Sequence, residues 1–274
     1  MLALLGAALA ADSPSIYGRQ ALAVAGWPTG LLSNTIVEVR TPLHRSESVL
    51  FQTTSAGLGA QVLATPAFVS VGPRLSLAPI EVFDVNFKAA HGWYFGNGLG
   101  TLPLDELTGT LDAQRDLRHD EGVTTEMWAF TVEPTLKAKV WRIVGFDAWT
   151  IDRLIFDRPA GIDSPYVYEP FRDLVISWTD TSFEHQAGLL YEALPGGDKP
   201  SLRLGPTFRH RFTLESKDDS KTLGLLVAAR PGVKPAVPTL VGMALWYLAD
   251  NDRVGLMPFL AAQVRWELEH PFGG

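Results

Sequence analysis

The chain contains no cysteine, which excludes disulfides, thiolate metal centres and a lipid-modified N-terminal cysteine. It also has no run approaching the roughly 20 consecutive apolar residues that a membrane-spanning helix needs. Positive charge is scarce: 23 Lys and Arg stand against 30 Asp and Glu, a balance that argues against a nucleic-acid partner. Helical heptads, internal repeats and interdomain linkers are missing. The histidines at 44, 91, 119, 185, 210 and 270 show no metal-ligand spacing. Gly96 to Gly100 is glycine-rich, but it follows aromatics and opens a loop, whereas a phosphate cradle opens a helix. Neither a metal nor a cofactor is expected.

What the chain does contain, from end to end, is alternation of apolar and polar residues at period two. Such alternation reads as strands with one greasy and one polar face. Candidate strands are 34–42, 48–64, 67–78, 80–95, 122–133, 135–146, 147–157, 172–180, 182–194, 200–213, 221–230, 238–250 and 255–270. In 67–78, Val69, Val71, Leu75 and Leu77 oppose Ser70, Arg74 and Ser76; in 80–95, Phe83, Val85 and Phe87 oppose Asp84, Asn86 and Lys88. A chain this apolar that crosses a membrane with strands must close them into a barrel, because lipid cannot satisfy an open edge. The fold class is therefore all-β, a closed antiparallel up-and-down transmembrane barrel. Such barrels have an even strand count. Reading 135–157 as one strand gives 12, the number adopted; adding Ser15 to Trp27 gives 14. A soluble periplasmic β-sandwich or ligand-binding barrel also alternates and is the competing architecture.

The final stretch, Gly255 to Phe272, sets Ala262, Val264, Trp266, Leu268 and Phe272 on one phase and Gln263, Arg265, Glu267 and Glu269 on the other. It resembles the closing strand of a bacterial outer-membrane β-barrel, which the assembly machinery reads by its terminal Phe. That resemblance implies outer-membrane lipid and the barrel-assembly machinery as partners, and a Gram-negative outer membrane as the location. Residues 1–11, with Ala8-Leu9-Ala10 as an A-x-A pattern but no basic n-region, look like the tail of a signal peptide; residues 12–274 form one barrel domain. Trp93, Tyr94, Phe95, Trp178, Tyr247 and Trp266 sit near strand ends, as an interfacial aromatic girdle does. Two long connections, 99–121 with its acidic residues and 158–172 with Tyr166, Tyr168 and Phe171, join strands at the surface, and the first is expected to be solvated.

The segment 182–213 allows a register to be set. With its turn at Gly197-Asp198, partners sum to 395. Glu184 then faces Arg211, Gln186 faces Arg209, and Glu192 faces Arg203, while Phe183 meets Phe212. A slip of one residue would put charge against apolar side chains throughout. The polar phase marks lumen-lining candidates: Glu184, Gln186, Glu192, Arg203, Arg209, Arg211, Lys137, Lys139 and Arg265. Mixed charges of this kind either plug a narrow barrel or tune a pore.

The same register sets His185 opposite His210 on the apolar phase. These are the only catalytic candidates. Outer-membrane phospholipase A and the lipid A deacylases carry an outward His followed two residues later by a nucleophilic Ser. Here Ala187 holds the place of that Ser, and imidazole alone supplies only a base. The function read from the sequence is a narrow channel or structural surface protein of the outer membrane, with an outer-leaflet lipid hydrolase as the enzymatic alternative.

Overall fold

A computed structural model describes residues 14–26, 29–44, 54–95, 100–107, 112–113, 116, 122–195, 200–232, 237–249 and 258–271. Twelve strands close into an antiparallel barrel: β1 (Ser15–Gly26), β2 (Thr29–His44), β3 (Thr54–Ala64), β4 (Phe68–Ile80), β5 (Phe83–Phe95), β7 (Thr124–Val140), β8 (Ile143–Phe156), β11 (Thr179–Pro195), β12 (Ser201–Thr213), β13 (Asp219–Arg230), β14 (Thr239–Ala249) and β15 (Phe259–Pro271). Three short strands, β6 (Leu102–Leu104), β9 (Tyr166–Glu169) and β10 (Leu174–Ser177), form a separate sheet ordered β10-β9-β6. Among the described residues no helix is long and apolar enough to cross a membrane. β1 pairs with β15 from Ser15–Pro271 to Ala25–Ala261, which leaves no sheet edge and sets aside the two-layer sandwich.

The expected count of twelve holds, but its membership differs. Ser15–Trp27, left out of the twelve, supplies β1, whereas 172–180 is divided between β10 and the start of β11. The stretch 122–157 makes two long strands that turn at Trp141-Arg142. Trp141 adopts a left-handed backbone there, with φ 54°. Pro134 explains the misplaced break. It lies inside β7, level with Val85 of β5, and the ladder to β8 skips from Val132 to Thr135, because proline has no N–H to give.

The phases sort as the alternation requires. Leu22, Val37, Leu58, Leu189, Leu225 and Leu260 point outward and are exposed, while Glu38, Arg74, Asp152, Glu192 and Arg211 on the other phase are buried. The outward aromatic belt consists of Trp93, Phe95, Trp128, Phe130, Trp149 and Trp246. Tyr94, Tyr247 and Trp178, placed in the girdle from sequence, turn inward and are buried. Proximity to a strand end does not decide the face; parity does.

The two longest connections leave the barrel at the end opposite the termini. Neither is simply solvated. The hairpin β9–β10 folds back into the barrel mouth, and its alternation serves two layers. Val167, Leu174 and Ile176 pack on Phe68, Tyr94, Met127, Leu154 and Phe156 of the wall. Tyr168 and Val175 face the other way, onto Leu102 and Ala113 of the first connection. Each fully buried side chain of this size contributes on the order of 1.5–3 kcal/mol. Together they make an apolar seal inside a barrel that is otherwise polar within.

Candidate functional site in the plugged lumen

The seal is tied down by charge. Glu169, at the end of β9, is fully buried. Its carboxylate accepts the Phe171 and Arg172 amides at 2.8 Å each, so it caps the tight turn of the hairpin, and it also accepts the Tyr94 hydroxyl of the wall. Asp173 closes that turn in a left-handed conformation, φ 57°, with its side chain held by Tyr168 Oη at 2.8 Å. Arg172 reaches from the turn to the wall, its Nε 3.1 Å from Asp152 Oδ2 and its Nη1 3.4 Å from Glu169. Thr131 completes the shell by donating to Asp152. Burial opposes charge on Arg172, but Asp152 and then Glu169 outweigh it and raise its pKa above the ordinary guanidinium value. Arg211 of β12 donates to the Arg172 carbonyl. At the far side, the Val175 amide donates to Asp218 Oδ2 at 3.0 Å, and burial pushes the Asp218 carboxyl up.

Beneath the hairpin lies a cavity of about 310 Å³, walled by Arg19, Asn34, Gln61, Arg74, Lys88, Glu133, Asp152, Glu184 and Arg211 and roofed by Phe171 and Arg172. A second network crosses its wall. Glu38 lies 2.5 Å from Arg40 Nε and 3.4 Å from Arg74 Nε, and it accepts from Ser76 at 3.2 Å. Gly57 of β3, between β2 and β4, permits this approach: a Cβ there would fall 2.4 Å from Ser76 Oγ and 3.2 Å from the Glu38 carboxyl. Arg74 also donates to Asn86, and Lys88 pairs with Glu133. Toward the end that carries the termini the inward side chains open to solvent: Lys139 is 47% exposed, Arg203 41% and Glu267 46%.

The expected register of 182–213 is found from Ser182–Thr213 to Glu192–Arg203, with a bulge between Glu192 and Leu194; the Gly197-Asp198 turn lies outside the described residues. The nine polar candidates are spread over the barrel's height. Glu184 and Arg211 wall the cavity. Glu192 is buried and pairs with Lys139 at 2.5 Å and Arg203 at 3.0 Å. Lys137 pairs with Asp84, Arg265 with Glu267, and Gln186 donates to Thr207. Arg209 lies over the Phe259 ring at 5.3 Å. Of the residues that anchor the hairpin, Tyr94 was placed in the aromatic girdle from sequence, and Asp152, Glu169 and Arg172 were not singled out. The one usable signal was the short alternation Tyr166-Val167-Tyr168-Glu169 inside a supposed loop.

His185 and His210 are Cα partners, but their rings engage different carboxylates. His185 Nε2 lies 3.2 Å from Asp147 Oδ1 with its ring stacked on Trp149, and His210 Nε2 lies 2.7 Å from Asp219 Oδ1. His91, not a catalytic candidate from sequence, repeats the pattern with Glu126 at 3.1 Å between Trp93 and Trp128. Ala187, two residues after His185, faces Phe208 and Asp147 across the ladder, so this outward face holds a base and its carboxylate without a hydroxyl nucleophile beside them. Among the described residues no group of three or more His, Asp or Glu suits a metal ion.

A closed even-numbered barrel, greasy outside and charged within, with its two longest connections at the end opposite the termini, defines the class. The fold is that of a transmembrane β-barrel, the architecture of bacterial outer-membrane proteins. No protein-family model matches the chain, and no curated protein matches it in sequence. Among solved structures it is similar to the β domain of the Bordetella autotransporter BrkA (12% identity, TM-score 0.44, 93% of this chain and 99% of that one). It is also similar to the translocator domain of the autotransporter NalP from Neisseria meningitidis (11%, 0.39, 99% and 93%). A third likeness is to the COG4313 outer membrane channel from Pseudomonas putida F1 (11%, 0.39, 96% and 97%).

Proposed function

We propose that the protein is a narrow outer-membrane channel that rests closed, with the β9–β10 hairpin as its plug. The observation that carries this reading is the contrast between the two ends of the lumen. One end is lined by exposed charges, and the other is sealed by a segment anchored through Arg172 to Asp152 and Glu169. By the rule that long loops face outward, the seal is on the cell surface and the open end faces the periplasm. Glu184, Gln186, Glu192, Arg203, Arg209, Arg211, Lys137, Lys139 and Arg265 then form the aqueous wall. Residues 1–11 act as an export signal, and β15 is the strand read by the assembly machinery.

Planar-bilayer conductance tests this. Removing one partner of a buried ion pair costs about 3–5 kcal/mol, and about 3 kcal/mol shifts a closed-to-open ratio by roughly 100-fold. Wild-type protein is therefore expected to be nearly silent and Arg172→Ala to show frequent openings. If Arg172→Ala, and a barrel with 166–177 replaced by a short Gly-Ser link, both fold and stay as silent as wild type, the channel reading is lost. The barrel would then be a structural surface protein.

A further inference from the structure

The cations around the cavity are unevenly matched. Arg172 is held by Asp152 and Glu169. Arg19, Arg74 and Lys88 also line the cavity, and among the described residues the carboxylates ion-paired with Arg74, Lys88 and the neighbouring Arg40 are Glu38 and Glu133. Glu38 serves both Arg40 and Arg74, and Glu133 serves both Lys88 and Arg74. Arg19 gains neither carboxylate. Its Nε is buried and without a hydrogen-bond partner among the described residues; Glu267, its register partner on β15, attracts it, while Arg74 and Arg265, both of its own sign, repel it. The strand that carries it, β1, is the one whose closure against β15 completes the barrel, so its inward phase points into the lumen. Gln61, on the same cavity wall, donates to Asn34 at 3.0 Å and leaves its own carbonyl oxygen buried and unpartnered.

A guanidinium presents five N–H donors in a planar fork matched to oxyanions. Like charges in a confined, part-buried space repel one another more strongly than in water, and an anion placed among them relieves that repulsion. A small hydrogen-bearing oxyanion answers both orphans at once. Its charged oxygens accept from Arg19, and its O–H donates to the Gln61 carbonyl. We propose that the lumen holds a binding site for a small phosphate-type oxyanion, centred on Arg19 with Arg74 behind it and Gln61 beside it. The inference deepens the channel reading, on which it rests for its biological sense, by naming the charge class of the permeant solute.

The probe is inorganic phosphate, titrated at constant ionic strength into full-length barrel folded in detergent, with tryptophan fluorescence and the thermal unfolding midpoint as readouts. Wild type is expected to respond saturably in the millimolar range. Arg19→Gln should raise the apparent Kd at least tenfold, while Lys221→Gln, which pairs with Asp219 and does not line the cavity, should leave it unchanged. Arg19→Lys keeps the charge but loses the fork, and an intermediate Kd is expected. It also decides the matter if Arg19→Gln fails to give a heat-modifiable barrel. A linear, unsaturable response in wild type, or equal affinity in wild type and the Arg19 variants, overturns the site. Binding is read in detergent, without a membrane, so a silent barrel that still binds phosphate would retire only the channel. A conducting barrel that does not bind would retire only the site.

Discussion

Inside the seal, the residue that decides the packing has no side chain. Gly92 of β5 faces inward, and a Cβ there would lie 2.5 Å from Phe68 Cε2 and 3.3 Å from Met127 Cε. Phe68 has nowhere to retreat. It is stacked on Tyr94 at 4.5 Å and on Phe171 of the plug at 5.5 Å. Gly18 of β1 is the control, with nothing within 4 Å of its would-be Cβ. Overpacking a tight core costs about 1–3 kcal/mol. Gly92→Ala is therefore expected to lower the unfolding free energy of the barrel in liposomes, read from urea titration, by that amount, and Gly18→Ala to leave it unmoved. Equal behaviour of the two would show that the Phe68 contact is not what stabilises this end. From sequence the parity of Gly92 was readable, because it shares a phase with Asn86 and Lys88. That the same phase changes from charged to apolar within one strand was not. The change depends on what the plug brings, and the plug comes from residues about 75 positions further on, as in Tyr94–Glu169.

Elements differ in how openly they announce themselves. Long strands with one face in lipid repeat their pattern five or six times, and the pairing of β11 with β12 follows from that pattern alone. The plug strands have three or four residues and are buried on both sides, so neither face is polar; β6 and β9 fall in stretches read as connections, and β10 was read only as part of a longer strand, 172–180. The turn joining β12 and β13 lies between these cases, since its Glu215-Ser216-Lys217-Asp218 chemistry marks a hairpin but not its charge state. Hydrogen bonding with Asp180, then Arg153 and the Thr181 amide, holds the Glu215 carboxyl down at about 2 against an ordinary 4.5. A depressed acid contributes stability above its unfolded pKa and loses it as pH falls through the folded one. The thermal midpoint of wild type should therefore exceed that of Glu215→Gln at pH 7, with the gap closing between about pH 4.5 and 2. Glu215 is more than a third exposed, so solvent screening keeps the gap small. A gap that widens on acidification would refute the assignment.

At the scale of the whole molecule the controlling fact is closure. In lipid every unpaired N–H or C=O costs several kcal/mol, so a barrel open between β1 and β15 would expose two edges of eleven register partners each. Such a state is negligibly populated, and the seam should behave as any other strand pair. It was the seam that sequence left ambiguous, because Ser15–Trp27 entered only as the optional strand that would make fourteen. The lack of native cysteine makes a direct measurement possible. Ala23 and Gln263 are register partners on the inward phase, within the 4.4–6.8 Å Cα spacing that disulfides require. Ala23→Cys with Gln263→Cys is expected to oxidise within one chain, giving a circularised band that migrates faster on a denaturing gel even after boiling and reverts with reductant. Ala23→Cys with Val264→Cys places the second thiol on the opposite face and should not cross-link. Cross-linked dimers alone, or equal cross-linking in both variants, would mean that β1 does not close on β15 in this register. The lumen, its plug and the phosphate site on Arg19 would then have to be rebuilt from a different barrel.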